Sequence, residues 1–510
     1  MKLPYRWRAT LVIALGLLMA VLDSTIVSVV LPQIATAFKT SMGTITWVAT
    51  GYILANAAII PVVGYISDRI GTKTVFLIAL ALFTIGSALC AFAPNEHMLI
   101  AFRVLQGIGG GALMPVATAV IFRLFGPTER AGAMSLLMIP LLLGPAFGPV
   151  LGGYLATNLS WNAIFTINLP IGVIAFLLAL LILHGKASEQ EERDAGEPVA
   201  KSMDVFGFLF SMGAIVTLVY GISMAGANGW NDRTVLTYLI AGGALLIAFL
   251  IVELRVQDPV IDIRLFRRYT FTMANILIWV TTAVLYGSIF LLPFFFENVE
   301  GLSSVTTGEI LISQGLAMVV SIALSGKLYN LIGPRILAVV GVAIVAVSMI
   351  GFTHLTITTT GADMQIWLIL RGLGMGLVSM PLQTVGVSVI SNKQMAKATS
   401  LMSSTQTVFS AIGVAVLTTY LTQHAAAHAQ DGTATCIAQL GSHAQALHTC
   451  IAQQALTMGM NDTFLFTLIC CLGSAVLAIF LGRDRALEAA RVARQLEKQD
   501  EGKAPASIGD

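Results

Sequence analysis

Apolar runs of about 20 residues or more recur along the chain, separated by shorter polar segments. They fall at 9–31, 45–66, 74–93, 97–120, 131–155, 163–184, 205–226, 234–254, 270–296, 305–326, 335–355, 364–388, 396–422 and 462–481. An α-helix rises about 1.5 Å per residue, so each run can cross about 30 Å of hydrocarbon. The runs lack the period-two alternation of barrel strands. The pattern therefore predicts an all-α polytopic membrane protein with fourteen spans. The first run is too long for a signal peptide, has no small-residue cleavage pattern, and carries Asp23 within it. Composition agrees with the pattern. The 510 residues are 56% hydrophobic and 11% charged, with a mean hydropathy of +0.86. Soluble domains carry about 25% charged residues, which excludes a soluble enzyme, a nucleic-acid binder and a disordered chain.

The net charge of +2 says little, but the placement of the charges orients the chain. With the N-terminus in the cytoplasm, 28 Lys and Arg are distributed so that all but four fall in cytoplasmic segments. Lys39 and Arg233 lie outside, and Arg103 and Arg371 lie within spans. Cytoplasmic loops carry the excess of positive charge, so both termini are cytoplasmic and the number of spans is even.

Three stretches recur in the same order, about 265 residues apart. Gly64–Gly71 is echoed by Gly326–Gly333, Arg103–Pro115 by Arg371–Pro381, and Ala131–Leu136 by Ala396–Leu401. Each echo falls on the same side of the membrane as its partner. Two transporter halves related by an axis along the membrane normal have this relation. The offset pairs span 2 with 10, 4 with 12 and 5 with 13. The expected divisions are a six-helix bundle at 1–184, a charged linker at 185–204, and an inserted two-helix hairpin at 205–254. A second six-helix bundle follows at 255–481, with a long outer loop at 423–461 and a cytoplasmic tail at 482–510.

The first half carries four motifs: Gly64-Tyr-Ile-Ser-Asp68-Arg69-Ile-Gly71-Thr72-Lys73, Arg103-Val-Leu-Gln106-Gly107, Gly144-Pro145-Ala-Phe-Gly148-Pro149-Val-Leu-Gly152-Gly153 and Leu22-Asp23-Ser24-Thr25 with Leu31-Pro32. In that order and on those spans they resemble signatures of the major facilitator superfamily. The last, with the two extra central helices, resembles the fourteen-helix drug:proton antiporters of EmrB/QacA type. The resemblance covers essentially the whole chain. It implies two pseudo-symmetric six-helix bundles plus the hairpin, alternating access, and export of amphipathic drugs driven by the proton gradient without a cofactor. Thr72 departs from the loop signature, which usually has a basic residue there. Asn330 replaces the acid in the second copy, which predicts weaker charge gating on that side.

The same residues have a reading of their own. Gly64 and Gly71 allow a tight cytoplasmic turn. Asp68, Arg69 and Lys73 can cross-pair with Arg123, Glu129 and Arg130 as a breakable latch, or serve as a plain positive-inside anchor. Gly144, Gly148 and Gly152 form a small-residue stripe that admits a neighbouring helix, and Pro145 and Pro149 can bend their helix. That this stripe seals and re-opens the outer side is what the resemblance implies.

Asp23 and Arg103 are the chemical centre. A charge at mid-membrane costs roughly 2.5–3.5 kcal/mol on insertion scales and normally faces a cavity or a partner. Both fall in the outer half of their spans and could meet. Two readings stand: a proton-carrying acid beside a permanent cation, or a static structural pair. Arg371 is the second-half counterpart of Arg103, and no acid occupies the central part of spans 9–14. Glu297, Glu300, Glu309 and Asp363 lie at outer ends, with Asp363 nearest in sequence. Arg371 either lines the cavity or caps carbonyls and waters. Tyr52, Asn56, Gln106, Met114, Gln314, Gln383 and Gln406 are further cavity candidates, because uncharged polar groups with Met and aromatics suit a broad apolar site. Each also fits as a helix–helix contact.

Cys90, Cys470 and Cys471 lie in spans as small apolar packers. Cys436 and Cys450 lie in the outer loop, an oxidising compartment, and are expected to form a disulfide worth on the order of 3 kcal/mol in the chain-entropy model. His424, His428, His443 and His448 share that loop at irregular spacing, and no metal site is assigned. The segment 436–456 is rich in Ala, Gln and Leu and fits a short outer helix. EmrB-like pumps of double-membrane bacteria work with a periplasmic adaptor, and this loop faces the right side for one.

The expectation is a transporter of the bacterial cytoplasmic membrane, not an enzyme. Its partners would be a small amphipathic substrate, protons and the lipid bilayer, with no nucleic acid. No GxxxxGK[ST] loop supports ATP drive, and no charged ring or carbonyl filter supports a channel. A dedicated exporter of one metabolite, lipid or siderophore is the nearest alternative, and a non-transporting sensor or scaffold is more remote.

Overall fold

The computed structural model describes residues 4–40, 42–183, 204–256, 259, 261–391, 394–440 and 444–482. The long helices are α1 (Tyr5–Phe38), α2 (Trp47–Ile70), α3 (Thr72–Ala91), α4 (Glu96–Leu124), α5 (Pro127–Asn158), α6 (Asn168–Ile182), α7 (Val205–Asn228) and α8 (Arg233–Arg255). They continue with α9 (Tyr269–Asn298), α10 (Ser304–Ile332), α11 (Pro334–Phe352), α12 (Gly361–Ser388), α13 (Met395–Leu440) and α14 (Ala444–Ile479). Among the described residues, 13 helices are long and apolar enough to cross a membrane, α6 counting with the short helix Ala163–Thr166 before it. The 32-residue α5 is a further long helix. The expected linker, but for Asp204, and the tail beyond Gly482 lie outside the described residues.

Local chemistry sets the helix ends. Asn95 accepts a hydrogen bond from the Met98 amide at the start of α4. Asp204 and Asp232 do the same for α7 and α8. Such caps satisfy amides that have no partner within the helix. Gly71 (φ 86°) and Gly333 (φ 87°) end α2 and α10 in a region that disfavours side chains. The two copies of the repeated loop thus make the same turn.

Helix packing repeats with an offset of eight helices. In the first half α2 packs on α4, α3 on α4, and α1 on α4, α5 and α6. In the second, α10 packs on α12, α11 on α12, and α9 on α12, α13 and α14. The halves meet through a reciprocal pair of contacts, α5 against α10 and α2 against α13. The hairpin breaks this symmetry, because α7 packs on α2 and α13 and so covers one side of the interface. Trp230, at the tip of the hairpin, donates to Thr419 on α13 (3.0 Å).

The repeated motifs touch one another across that interface. A Cβ on Gly64 would lie 2.6 Å from the Ala396 carbonyl oxygen, and one on Gly326 would lie 2.5 Å from Ser135 Oγ. Gly64 is therefore not part of a turn, as its sequence context suggests. It sits inside α2 and lets α13 approach to backbone contact. Asn330 Nδ2 donates to the Thr128 carbonyl (2.7 Å) and Thr399 Oγ1 to the Pro115 carbonyl (3.3 Å), both between halves. The cytoplasmic ends of the two halves are closed against each other.

The outer segment 423–461 departs from expectation. Instead of a loop, α13 runs to Leu440 and α14 starts at Ala444. At 46 and 36 residues these helices are about 69 and 54 Å long, well beyond a bilayer core of about 30 Å. Ala, Gln and Leu have low helix cost, so the polarity that ends the membrane span does not end the helix.

The Gly64 contact yields a prediction. Ala at 64 meets rigid backbone, whereas Ala at 326 meets a Ser side chain that can rotate. Gly64→Ala should open the cytoplasmic interface and Gly326→Ala should do so much less. A cysteine placed at Thr399 should alkylate several-fold faster from the cytoplasmic side in the first variant; equal rates in all three proteins contradict the contact.

Candidate functional site

Asp23 and Arg103 meet. Arg103 Nη1 donates to Asp23 Oδ2 at 2.5 Å, and their side chains are 1% and 0% exposed. Asp23 Oδ1 accepts two more bonds, from Gln106 Nε2 (3.0 Å) and Asn168 Nδ2 (2.7 Å). Arg103 also donates to Gln106 Oε1 (2.7 Å) and, through Nε, to the Val48 carbonyl (3.2 Å). Its guanidinium lies over the Tyr52 ring at 4.2 Å. Asn168 donates onward to Ser87 Oγ (3.0 Å), which donates to the Phe165 carbonyl. Two opposite charges are thereby satisfied without solvent by groups from α1, α2, α3, α4 and α6.

Several expected roles change in detail. Gln106 and Tyr52, read as cavity residues, are buried in this network. Tyr52 also hydrogen-bonds Asn56. Asn168 and Ser87 were missed, since neutral polar residues near a helix end and in mid-span carry little signal of their own. Asn56, Met114, Gln383 and Gln406 are half-buried, and Gln314 is buried.

The glycine stripe of α5 lies directly on α1 beside Asp23. A Cβ on Gly144 would lie 2.2 Å from Val21 Cγ1, and one on Gly148 would lie 2.0 Å from Thr25 Oγ1. Gly152 faces Ile26 in the same way (3.0 Å to its carbonyl oxygen). Thr25 Oγ1 also donates to the Gly144 carbonyl (3.0 Å). Pro145, Pro149 and Gly153 lie within the same helix.

Of the expected cytoplasmic charge pairs one is present, and Glu129 takes a different partner. Asp68 meets Arg123 Nη2 at 3.5 Å, but Glu129 pairs with Arg6. Lys73 donates to the Leu180 carbonyl, Arg69 lies over Tyr65, and Arg130 donates to the Phe122 and Phe125 carbonyls. These bonds lie within the first half, and Gly64 and Asn330 contribute contacts between the halves at the same level.

In the second half, Arg371 is fully buried and donates to Ser288 Oγ at 2.9 Å. Ser288 follows Asp23 by about the repeat offset of 265, so a hydroxyl occupies the place of the acid. Among the described residues, Arg371 Nε and Nη1 make no hydrogen bond. Asp363 accepts from the backbone amide and hydroxyl of Thr360 as a helix cap, and Glu300 accepts from the Gly361 amide. Cys436 and Cys450 are joined, with Cα atoms 6.0 Å apart, and Cys90, Cys470 and Cys471 are free.

A profile of the Major Facilitator Superfamily matches residues 13–414. The chain belongs to the major facilitator superfamily. It is accordingly a multi-pass secondary transporter of the cytoplasmic membrane and not an enzyme. It is 35% identical over 421 residues to the "Multidrug resistance protein B homolog" of Mycobacterium tuberculosis, a match covering 81% of this chain and 75% of that one. It is 30% identical over 411 residues to the "Tetracenomycin C resistance and export protein" of Streptomyces glaucescens, again 81% and 75%. It is 29% identical to the MFS-type transporter YhcA of Bacillus subtilis, with 92% of both chains covered. The human organic anion transporter MFSD10 shares its fold, with a TM-score of 0.63 at 16% identity, over 92% of this chain and 100% of that one. Within the superfamily, the chain falls with the multidrug transporters.

The network predicts how this transporter answers to substitution. Asp23→Asn leaves Arg103 as a buried charge without its counterion and should lower unfolding stability by about 3 kcal/mol. Asn168→Ala removes one donor and should lower it by about 1–2 kcal/mol. Denaturant unfolding in detergent micelles measures both; a smaller loss for Asp23→Asn than for Asn168→Ala contradicts the ordering.

Proposed function

We propose that this transporter exports amphipathic drugs or other toxic small molecules from the cytoplasm in exchange for protons, by alternating access. The observation that carries the reading is the buried Asp23 carboxylate, held by three donors of which one is Arg103. A carboxylate offers about four acceptor sites, and Arg stays protonated. A proton arriving on Asp23 cancels the charge that Arg103 is paired with. Arg103 then relaxes toward Gln106 and the Val48 carbonyl, and α1 loosens from α4. Val21 and Thr25 carry the displacement to Gly144 and Gly148, and so to α5. Because α5 is also the first half's contact with α10, movement there changes how the halves meet.

The bodies that rock are residues 1–184 and 255–481, and the hairpin rides on the α2–α13 side. Gly64, Asp68, Arg69, Gly71 and Lys73 form the cytoplasmic gate, which opens to admit cargo. Asn56, Met114, Gln314, Gln383 and Gln406 face the cargo between the halves, while Tyr52 and Gln106 act on it through Arg103 and Asp23. Arg371 holds the equivalent place in the second half with no acid to titrate, which supports one coupling centre rather than two. The outer extension of α13 and α14 is the element that a periplasmic adaptor would meet. The relatives' names, multidrug resistance and export, support amphipathic cargo moving outward. The name of the Streptomyces relative, which specifies one compound, favours a second reading, a dedicated exporter.

Ethidium accumulation in inverted membrane vesicles with an acid lumen tests the proposal. Wild type should accumulate the dye, and Asp23→Asn should bind it but lose the proton-driven accumulation. Equal accumulation by both removes Asp23 from coupling. A wild type that moves neither ethidium nor other amphipathic dyes leaves the dedicated exporter.

A further inference from the structure

The outer extension places three metal-ligating side chains together. His424 and His428 are one helical turn apart on α13, and Asp462 faces them from α14. His424 Nδ1 and His428 Nε2 each lie 2.8 Å from Asp462 Oδ2. The three donor atoms lie within 4.8 Å of one another, and all three residues are half-buried. Residues at i and i+4 share a helix face, so the two imidazoles converge because α13 continues as a helix past the membrane span.

We propose that His424, His428 and Asp462 bind a first-row divalent transition metal ion, Zn²⁺ by chemistry, that clasps α13 to α14 on the outer face. Two imidazole nitrogens and one carboxylate oxygen are the donors that select Zn²⁺ and its neighbours, whereas Ca²⁺ and Mg²⁺ prefer all-oxygen sites. Zn²⁺ binds such ligands at about 2.0–2.2 Å in a tetrahedron, which sets the donors about 3.4 Å apart. Each ring-to-carboxylate contact then opens by about 0.6 Å, and the two imidazole nitrogens, within 4.8 Å of each other, settle to the same spacing. Three protein ligands leave the fourth position to water.

The surroundings fix the donors in place. Tyr420 stacks on the His424 ring at 4.0 Å and on Phe466 of α14 at 5.0 Å, holding that imidazole between the two helices. The Cys436–Cys450 bond joins the same two helices about two turns further out from His428. Disulfide, metal and aromatic stack would act together as three successive ties along one antiparallel pair. Because α13 is also the helix that meets α2 and α7, stiffening it stiffens one face of the interface between halves. The site stands on these distances alone and does not depend on the coupling chemistry of Asp23.

The test uses the full chain in detergent micelles, stripped with a chelator and desalted. Zn²⁺ uptake is measured by competition with a coloured chelator, and Co²⁺ is added separately as a visible-absorbing probe. Wild type should bind Zn²⁺ with micromolar or tighter affinity and give the intense Co²⁺ bands of a four-coordinate site. His424→Ala and Asp462→Asn should each lower the Zn²⁺ count by one, or weaken that equivalent at least tenfold, and lose the Co²⁺ bands. His428→Gln provides a variant of similar size should either of the others fold poorly. Zn²⁺ should also raise the melting temperature of wild type and not of the variants. A wild type with no Co²⁺ bands overturns the proposal without any variant. So does a Zn²⁺ count and affinity unchanged in all three variants, and the triad is then a hydrogen-bonded cluster only.

Discussion

Asp23 and Arg103 stand 2.5 Å apart, shielded from solvent inside the first helix bundle. Removing either leaves the other as an uncompensated buried charge, a penalty of about 3–5 kcal/mol. The local architecture follows from meeting that constraint. Gln106 serves both partners, donating to the acid and accepting from the base. Asn168 starts α6 where its amide can reach the carboxylate, and Ser87 holds the Asn168 amide from α3. The Tyr52 face adds support to the cation. Five segments of chain are oriented by one pair of charges, so a change in its protonation state has several helices through which to act.

The two halves share a packing plan but not this centre. Every helix contact named for the first bundle has a counterpart eight helices later. The second half keeps the arginine and substitutes Ser288 for the acid, so Arg371 has a hydroxyl in place of a counterion. The interface is unequal as well. Gly64 abuts backbone whereas Gly326 abuts a side chain, and α7 covers only the α2–α13 side. Symmetry supplies two like bodies; its local failures leave a buried acid–arginine pair in only one of them, among the described residues, and give the interface a covered and an uncovered side.

Much of this was legible in the residues, for physical reasons. Hydropathy counts helices because a bilayer permits little else, and positive charge orients them. The repeat was visible because interface glycines and turn glycines tolerate few substitutes, as Gly71 and Gly333 show by sharing a positive φ that other residues rarely adopt. Asp23 and Arg103 stood out because ionised groups in a span are expensive. What stayed hidden depended on three-dimensional neighbours. Asn168 and Ser87 are ordinary polar residues until a carboxylate is placed beside them. Glu129 chose Arg6 over the motif charges because α1 and α5 start side by side, a proximity that loop sequence does not encode. The 423–461 segment read as a loop because its polarity marks an exit from the membrane, and polarity and helicity are separate properties. His424 and His428 belonged to a set of irregularly spaced histidines, and Asp462 drew no notice, until that segment proved helical.

The central claim is that cargo and proton compete through the Asp23–Arg103 pair. Calorimetry of dye binding to the purified transporter, repeated in buffers of different ionisation enthalpy, counts the protons exchanged on binding. The account predicts that wild type releases protons when ethidium binds and that Asp23→Asn binds ethidium with no proton release. Equal proton release by the two proteins would contradict it, because the titrating group would then lie elsewhere.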